Sequence, residues 1–306
     1  MEQVRTRIKT DINLQDRKKA NTKTHLTWYM FLLPSILGIL LFMLYPVIDS
    51  FYLSLTNSNG TIASWVGFRN YANILSDSTF WNAMYNTFYL AFFQMLISIP
   101  LGFIVASLIN STKILQRFFK VLFFIPYITP IVATAMVFMF LLDPNQGAVN
   151  FLLSKLGLPP SSWLSDPATA KWGVILLGTW SGLGFIIIIC LANLQAISPQ
   201  LYEAAKIDGA SDFQQWLYIT IPNMRGTFVF FIITGWIGGL QRFTDVFILG
   251  GATGSPDGSI QTIVEYIFEH GFQGFNFGVA SAATYILFVI ILIFTYFNLK
   301  ASRLKL

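Results

Sequence analysis

The chain has 306 residues, of which 55% are hydrophobic and only 11% are charged. An ordinary soluble domain is about 25% charged, so this composition excludes a soluble globular protein and indicates one embedded in a membrane. The formal net charge is +5, and the placement of the basic residues described below accounts for it without a nucleic-acid partner.

Long apolar runs recur along the chain. Residues 1–27 are polar and basic, and they are predicted to form a cytoplasmic segment that is loosely ordered or helical along the membrane surface. Residues 28–306 are predicted to form a transmembrane domain with its core at about 82–300. Six runs in this domain are long enough to cross a hydrocarbon layer of about 30 Å. They cover residues 28–54, 87–109, 118–142, 173–194, 227–249 and 279–299.

The basic residues orient these runs. If the N-terminus is cytoplasmic, 15 of the 19 Lys and Arg residues fall on inner segments. Because short loops rich in Lys and Arg stay in the cytoplasm, both termini are predicted to be cytoplasmic. The expected location is the cell (inner) membrane, which the chain crosses several times in contact with lipid.

Two of the outer segments carry helix signals. A short surface helix is predicted near residues 148–156. Residues 250–258 are rich in glycine and are predicted to form a flexible turn. After this turn, Ile263, Tyr266 and His270 belong to an apolar pattern of helical spacing over residues 262–270. This pattern predicts an amphipathic helix that lies on the outer surface or dips into it.

A polar stretch between the fourth and fifth runs, residues 198–222, has its own helix signals. Ser198 and Pro199 are predicted to open a helix, with the serine hydroxyl as its cap, and Asp208 with Gly209 to close it. A capping box at residues 211–214 opens a second helix, which Pro222 is predicted to end. So much local specification outside the bilayer indicates that a partner docks there. We call residues 198–222 the docking segment.

The sequence offers little for catalysis. Its two histidines, His25 and His270, fall on opposite sides of the membrane in this topology, and no pattern of metal ligands is present. The pair Gly-Lys does not occur, so the chain has no phosphate-binding P-loop. We therefore expect no catalytic residues, no metal site and no enzymatic activity.

Polar and small residues inside the fourth and fifth runs have two interpretations. Arg242 and Asp245 are three residues apart, so they can pair on one helix face, or they can lie near the outer interface and reach to water. Residues 178–185 and 235–239 combine glycines with aromatic side chains. The glycines can serve close helix packing, or they can leave a cavity in which Trp180 and Phe185 offer aromatic faces to a sugar ring.

The docking segment resembles the inner-membrane permease subunits of binding-protein-dependent ABC importers. Their signature is Glu-Ala-Ala, three residues, Gly, nine residues and Ile-x-Leu-Pro, with Ile221 in place of the usual Leu here. The sequence Asp-Gly-Ala at residues 208–210 is similar to the carbohydrate branch of that family. The matching positions are Glu203, Ala204, Ala205, Gly209, Ile219 and Pro222.

This resemblance implies an all-α fold of six transmembrane helices, the type I ABC importer permease fold. It implies a heterodimer with a second permease subunit, two cytoplasmic ATPase subunits that bind ATP and Mg, and an extracytoplasmic solute-binding protein that delivers a sugar or oligosaccharide. The chain itself would hold no cofactor. The runner-up hypotheses are a secondary transporter or channel that needs no ATPase and, less favoured, a receptor-like or scaffold membrane protein.

The resemblance also assigns roles to residues. Those expected to couple the chain to the ATPase are Glu203, Ala204, Ala205, Asp208 and Gly209. Those expected to line the substrate pathway, by position relative to the docking segment, are Ser181, Gly182, Phe185, Gly235, Gly239 and Arg242. A well-studied relative has amides at two of these positions, which are Gly239 and Arg242 here, so the ligand need not be the same. Arg242 raises the hypothesis of an acidic sugar.

Overall fold

The computed structural model describes residues 28–112 and 116–303. The predicted N-terminal segment, residues 1–27, lies outside the described residues. The described chain is almost entirely helical, with a single two-stranded hairpin, in agreement with the predicted all-α class. It divides into two compact units, Met1–Leu53 and Ser54–Leu306.

The first unit contributes most of helix α1 (Trp28–Ser54), which has 27 residues and a mean hydropathy of 2.3. At 1.5 Å per residue such a helix is about 40 Å long, enough to cross a bilayer. The first predicted span, residues 28–54, is confirmed.

The second unit begins with an antiparallel hairpin of strands β1 (Thr56–Ser58) and β2 (Ala63–Trp65). Besides a 3₁₀ turn at Trp163–Ser165 and a π-helical turn at Glu269–Gln273, twelve mainly α-helical segments follow in the described residues of this unit. They are α2 (Arg69–Leu75), α3 (Ser78–Ser111), α4 (Gln116–Ile128), α5 (Ile131–Leu141), α6 (Ala148–Lys155), α7 (Pro167–Ala196), α8 (Pro199–Ile207), α9 (Asp212–Asn223), α10 (Arg225–Leu240), α11 (Thr244–Gly250), α12 (Ile263–Phe268) and α13 (Phe277–Arg303). Helix α6 confirms the surface helix predicted near residues 148–156.

Among the described residues, four helices are long and apolar enough to cross a membrane singly, and the number rises to six if each of two bent helix pairs is one span. One pair is α4 and α5, which meet at 96°. The third predicted span is therefore broken near Pro130, because proline lacks a backbone N–H and disfavours helical geometry at the residue before it. The other pair is α9 and α10, bent by 56°.

The fifth predicted span, residues 227–249, is wrong in its second half. Helix α10 ends at Leu240, and α11 begins only at Thr244. Glycines at 238 and 239 weaken the end of α10. The break costs little in backbone hydrogen bonding because the Thr262 hydroxyl donates to the freed carbonyl of Arg242 at 2.9 Å.

Helices α3 and α7 pack along each other at the centre of the second unit. Gly102 allows the close approach, since a Cβ at that position would lie 2.5 Å from Cγ2 of Ile186. At about 50 Å, α3 also defines two ends of the unit. We call the end near Asp77 the Asp77 end and the end near Ser107 the Ser107 end.

Residues 251–276 cover the Asp77 end. The Asn86 amide donates to the carbonyls of Gly258 at 2.8 Å and Gln261 at 3.0 Å, and a Cβ at Gly254 would collide with the backbone of Gln261. The glycine-rich turn predicted to be flexible is therefore held by hydrogen bonds and close packing. Its glycines supply positive φ angles, +68° at Gly251 and +62° at Gly254, that other residues rarely adopt.

A helix is confirmed at the predicted place as α12, but Ile263, Glu265 and Tyr266 are all buried, so it packs against α3 and α13 and does not lie on a surface. Thr262 and Glu265 form its capping box. The Tyr266 hydroxyl donates to Asp77 Oδ2 at 2.8 Å, and burial together with this carboxylate raises the pKa of Tyr266. Burial acts to raise the pKa of Asp77, but its hydrogen bonds from Tyr266 and Thr79 outweigh burial and lower that pKa.

Candidate functional site

A cavity of about 350 Å³ lies near the middle of α3. Helices α3, α7 and α10 form most of its wall, and Tyr127 and Ile131 close it from the bent pair α4 and α5. The structure brings all six residues predicted for the substrate pathway to this one cavity. They are Ser181, Gly182, Phe185, Gly235, Gly239 and Arg242.

Arg242 is the most extensively bonded side chain of the cavity. Its Nε donates to Asp245 Oδ2 at 2.9 Å, its Nη1 to Gln94 Oε1, and its Nη2 to the Val174 carbonyl at 3.0 Å and to Asp245 Oδ2. The Arg242 and Asp245 side chains are only 9% and 10% exposed. The predicted pair is present, and the alternative of two side chains reaching to water is wrong.

The sequence allowed Arg242 and Asp245 to pair on one helix face, but in the structure they do not share a helix. Arg242 is in the break between α10 and α11, and Asp245 is in the first turn of α11. The break turns the guanidinium towards α3 and α7, where Gln94 and Val174 accept from it. A continuous helix would place both residues on its own surface one turn apart.

Both interpretations of the glycines hold, at different positions. A Cβ at Gly178 would lie 2.7 Å from Arg242 Nη2, and one at Gly239 would lie 2.6 Å from the Cβ of Ala91. These two glycines therefore permit close packing. All four glycines at 178, 182, 238 and 239 border the cavity, but a Cβ at Gly182 or Gly238 would meet no atom nearer than 4.0 Å, so these two leave open space.

Aromatic rings form one wall of the cavity. Phe185 stacks on Tyr127 with ring centroids 5.6 Å apart, and Phe231 lies edge-on to Phe185 at 6.2 Å. Trp180 does not line this cavity as expected. It contacts Phe138 and borders a separate apolar recess beside α5.

Three further polar residues line the cavity that were not predicted from the sequence, namely Gln94, Ser98 and Thr234. Gln94 had a visible signal, because it is an amide within an otherwise apolar run and such residues in spans usually face a partner or a polar cavity. Thr234 donates to the Phe230 carbonyl at 2.8 Å within α10. Its hydroxyl oxygen remains able to accept a hydrogen bond.

Glu265 lies behind the Arg242–Asp245 pair and is fully buried. Its Oε2 accepts from the Thr262 amide at 2.7 Å, whereas its Oε1 has no partner among the described residues. Burial raises the pKa of Glu265 to about 8. This carboxyl is therefore mostly protonated at neutral pH.

The docking segment lies at the Ser107 end and contains the predicted helix–turn–helix. Helix α8 ends at Ile207 with Asp208 as its C-cap, and Gly209 has φ of +80° as the residue after a C-terminal cap requires. The predicted capping box of Ser211 and Gln214 opens α9. Three residues separate the last position of α8 from the N-cap of α9, so the turn is tight.

Two details of that prediction are wrong. The Ser198 hydroxyl makes no cap hydrogen bond to the backbone, because it contacts the Gln200 side chain. Pro222 does not end the second helix, since α9 continues through a π-helical turn to Asn223 and the bend follows at Met224. The wider turn at Trp216–Thr220 accommodates the proline.

The surface of the docking segment is open. Glu203, Ala204, Asp208 and Gly209 are exposed, and Ala205 is half-buried. Ala205, Asp208 and Gly209 border a shallow groove of about 320 Å³. Three large apolar side chains of the segment stand out from the protein, namely Ile207 at 87%, Phe213 at 68% and Tyr218 at 73% exposure.

The inner side of the docking segment is attached to α3. Trp216 donates from Nε1 to Ser107 Oγ at 3.2 Å and stacks on Phe103 with centroids 5.5 Å apart. Tyr202 and Thr220 bond through their hydroxyls at 3.0 Å and join α8 to α9. These contacts join the docking segment directly to the helix that lines the cavity. In the described residues, no cluster of three or more His, Cys, Asp or Glu is placed to hold a metal ion.

Comparisons with known proteins agree with this architecture. Residues 98–303 match the model of a family described as "Binding-protein-dependent transport system inner membrane component". The chain is 34% identical over 281 residues to the lactose transport system permease protein LacF of Rhizobium radiobacter, covering 90% of this chain and 93% of LacF. It is 31% identical over 276 residues to the arabinooligosaccharides transport system permease protein AraP of Bacillus subtilis (strain 168), covering 90% and 88%.

Solved structures are similar as well. One is a bacterial ABC transporter involved in the import of the acidic polysaccharide alginate, with a TM-score of 0.78, 27% identity and coverage of 94% of this chain and 99% of that chain. The other is a bacterial alginate ABC transporter in complex with an alginate pentasaccharide-bound periplasmic protein, with a TM-score of 0.79, 26% identity and coverage of 93% and 96%. This chain therefore belongs to the family of binding-protein-dependent transport system inner membrane components, as a non-catalytic, multi-pass permease of an ABC importer.

Proposed function

We propose that this chain is one of two permease subunits of a sugar or oligosaccharide importer, driven by two ATPase subunits that dock on residues 198–222. A binding protein on the outer side delivers the sugar. The observation that carries the proposal is the direct attachment of an exposed docking segment to α3, the helix that also lines the cavity. The printed names of the relatives, which include lactose, arabinooligosaccharides and trehalose/maltose, support the choice of a carbohydrate.

The cavity has the chemistry that a sugar requires. Its volume of about 350 Å³ is within the range of about 300–1,000 Å³ of small-molecule sites. Phe185 and Tyr127 offer ring faces to the C–H side of a sugar ring. Ser181, Thr234 and Gln94 offer polar groups to its hydroxyls. The six pathway residues named above are proposed to contact the sugar during its passage.

The docking segment has the shape that an ATPase groove requires. Small residues at Ala204, Ala205 and Gly209 let a partner approach the backbone, and Glu203 and Asp208 offer exposed carboxylates to basic groups of that partner. ATP and Mg are bound by the ATPase subunits. Closure of the two ATPases on ATP draws the two docking segments of the heterodimer together, and this favours an outward-open arrangement only if ATP binds that arrangement more tightly.

The proposed orientation puts the Ser107 end in the cytoplasm, together with both chain termini. The excess of Lys and Arg on the segments of that side supports it. The Asp77 end, which is covered by residues 251–276, then faces the binding protein.

Reconstitution tests the proposed function. Liposomes that contain both permeases and the ATPases should take up labelled lactose, maltotriose or arabinotriose only with internal ATP and external binding protein. Glu203→Ala should lower stimulated ATP hydrolysis and uptake together. Uptake by this chain alone without ATP would contradict the proposal and favour a secondary transporter or channel.

A further inference from the structure

The charge balance of the cavity indicates which sugars it accepts. Of the side chains that line the cavity in the described part of the chain, Arg242 and Asp245 alone carry a charge. They form an ion pair in which both side chains are about nine-tenths buried. The lining is therefore neutral in sum, although a basic residue stands in it.

The guanidinium of Arg242 is not available for a second carboxylate. Recognition of a carboxylate by arginine normally uses two parallel N–H groups. The Nε and Nη2 edge, which offers such a pair, is already occupied by Asp245. The second hydrogen of Nη2 is directed to the Val174 carbonyl, and Nη1 donates to Gln94. Of the five N–H donors of an arginine, a single one on Nη1 remains.

The surroundings hold this arrangement in place. A Cβ at Gly178 would lie 2.7 Å from Arg242 Nη2, so the guanidinium lies directly against the backbone of α7. An acidic sugar would have to displace Asp245, which is tethered three residues away, and would then face that carboxylate at short range. Like charges at short range in a poorly solvated site repel strongly.

Uncharged hydroxyls meet no such obstacle. Gln94 turns its Oε1 to Arg242, and its Nε2 lies 4.0 Å from the Cβ position of Gly182, where the wall is open. That amide N–H₂ has no hydrogen-bond partner among the described residues. A hydroxyl of a neutral sugar accepts such a bond without disturbing the ion pair.

We propose that Asp245 is a specificity-determining residue which, by neutralising Arg242, makes the cavity select uncharged glycans over acidic ones. This inference rests on the proposed function. The substrate class inferred here differs from that of a solved structural neighbour, which is described as importing an acidic polysaccharide. The inference also replaces the hypothesis of an acidic sugar that Arg242 raised in the sequence.

Matched sugar pairs test the inference. The complete importer in nanodiscs is equilibrated, without binding protein, with labelled β-1,4-mannotriose or β-1,4-trimannuronate, and with α-1,4-galactotriose or trigalacturonate. Wild type should bind the neutral member of at least one pair about tenfold more tightly. Asp245→Asn should move the preference at least about tenfold towards the acidic member. The double variant Arg242→Gln/Asp245→Asn should restore the neutral preference, and Asp257→Asn, in an exposed loop, should behave as wild type.

The outcomes are distinguishable. Equal or tighter binding of the acidic member by wild type overturns the inference but not sugar transport. An unchanged preference in an assembled Asp245→Asn importer overturns it as well. If the Asp245→Asn importer does not assemble, the comparison of wild type with the double variant tests the inference. Loss of the preference for neutral sugars in the double variant would overturn it, because a cavity without either charge should still prefer them. Binding of none of the four sugars by wild type would contradict both this inference and the proposed function.

Discussion

Trp216 is predicted to link the docking segment mechanically to the cavity helix. Its indole donates to Ser107 and stacks on Phe103, and both partners belong to α3. Trp216→Phe removes the hydrogen bond and keeps a ring on Phe103, a loss of about 0.5–1.5 kcal/mol. Trp216→Ala also removes the stack, and since Trp216 is half-buried the loss is about 2 kcal/mol, roughly half of the cost at a fully buried site.

These losses should weaken the coupling between ATP hydrolysis and transport, so that more ATP is hydrolysed for each sugar taken up. Because about 1.4 kcal/mol corresponds to a tenfold change in an equilibrium, a loss of about 2 kcal/mol corresponds to roughly thirtyfold. Trp216→Ala should therefore lower the uptake of labelled sugar per ATP by at least about tenfold while ATPase docking persists. Trp216→Phe should have a smaller effect in the same direction. The assay is simultaneous measurement of uptake and phosphate release in proteoliposomes.

A matched control is available at the other end of α3. Trp81 also donates its indole N–H to one acceptor, the Leu75 carbonyl at 2.9 Å, and it is remote from the docking segment. Trp81→Phe should leave uptake per ATP unchanged. Normal uptake per ATP in a stable Trp216→Ala importer would refute this prediction, because the contacts of Trp216 with α3 would then not be needed for coupling.

Three further predictions concern other sites. Gly209→Leu places a β-carbon on a residue with φ of +80° and blocks the groove. It should abolish stimulated ATP hydrolysis while the importer still assembles. Stimulated ATP hydrolysis in this variant would contradict the docking assignment. Gly178→Ala introduces a Cβ 2.7 Å from Arg242 Nη2, so it should lower both the unfolding temperature and sugar uptake. An unchanged unfolding temperature together with unchanged uptake would show that the guanidinium is free to move. Glu265 has its pKa raised to about 8 and binds a proton in the folded state that it releases on unfolding above about pH 4.3. Its stability contribution is therefore lost as pH rises from about 4.3 to 8, so Glu265→Gln should raise the unfolding temperature more at pH 8 than at pH 5, and an equal shift at both would contradict the assigned pKa.

Much of the docking segment was predictable because its signals are local. The cap at Gly209 depends on the backbone conformation of one residue, and the capping box at residues 211–214 depends on four consecutive residues. The prediction for Pro222 was wrong because the chain widened the preceding turn at Trp216–Thr220. The local sequence does not reveal that adjustment.

Part of the cavity lining was predictable, but its chemistry was not. The positions of Ser181, Gly182 and Phe185 followed from family resemblance, and the structure gathers them at one wall. The break at 241–243 could not be read from an apolar pattern that continues to residue 249, so the direction of Arg242 was missed. Trp180 was predicted to face the cavity but borders the neighbouring apolar recess. Helical spacing alone does not tell which of two neighbouring recesses a side chain enters.

The amino-acid sequence was enough to place this chain in a membrane, to locate its apolar runs approximately, and to identify the polar segment at residues 198–222 that forms its own short helices. These properties depend on apolar length and on neighbouring residues, which are written consecutively in the chain. The choice between a paired and a water-facing Arg242, and the hydrogen bond from its guanidinium to Gln94 on another helix, came only from the folded structure. Arg242 and Gln94 lie 148 residues apart in the chain, and packing of α3, α7 and α10 brings them together.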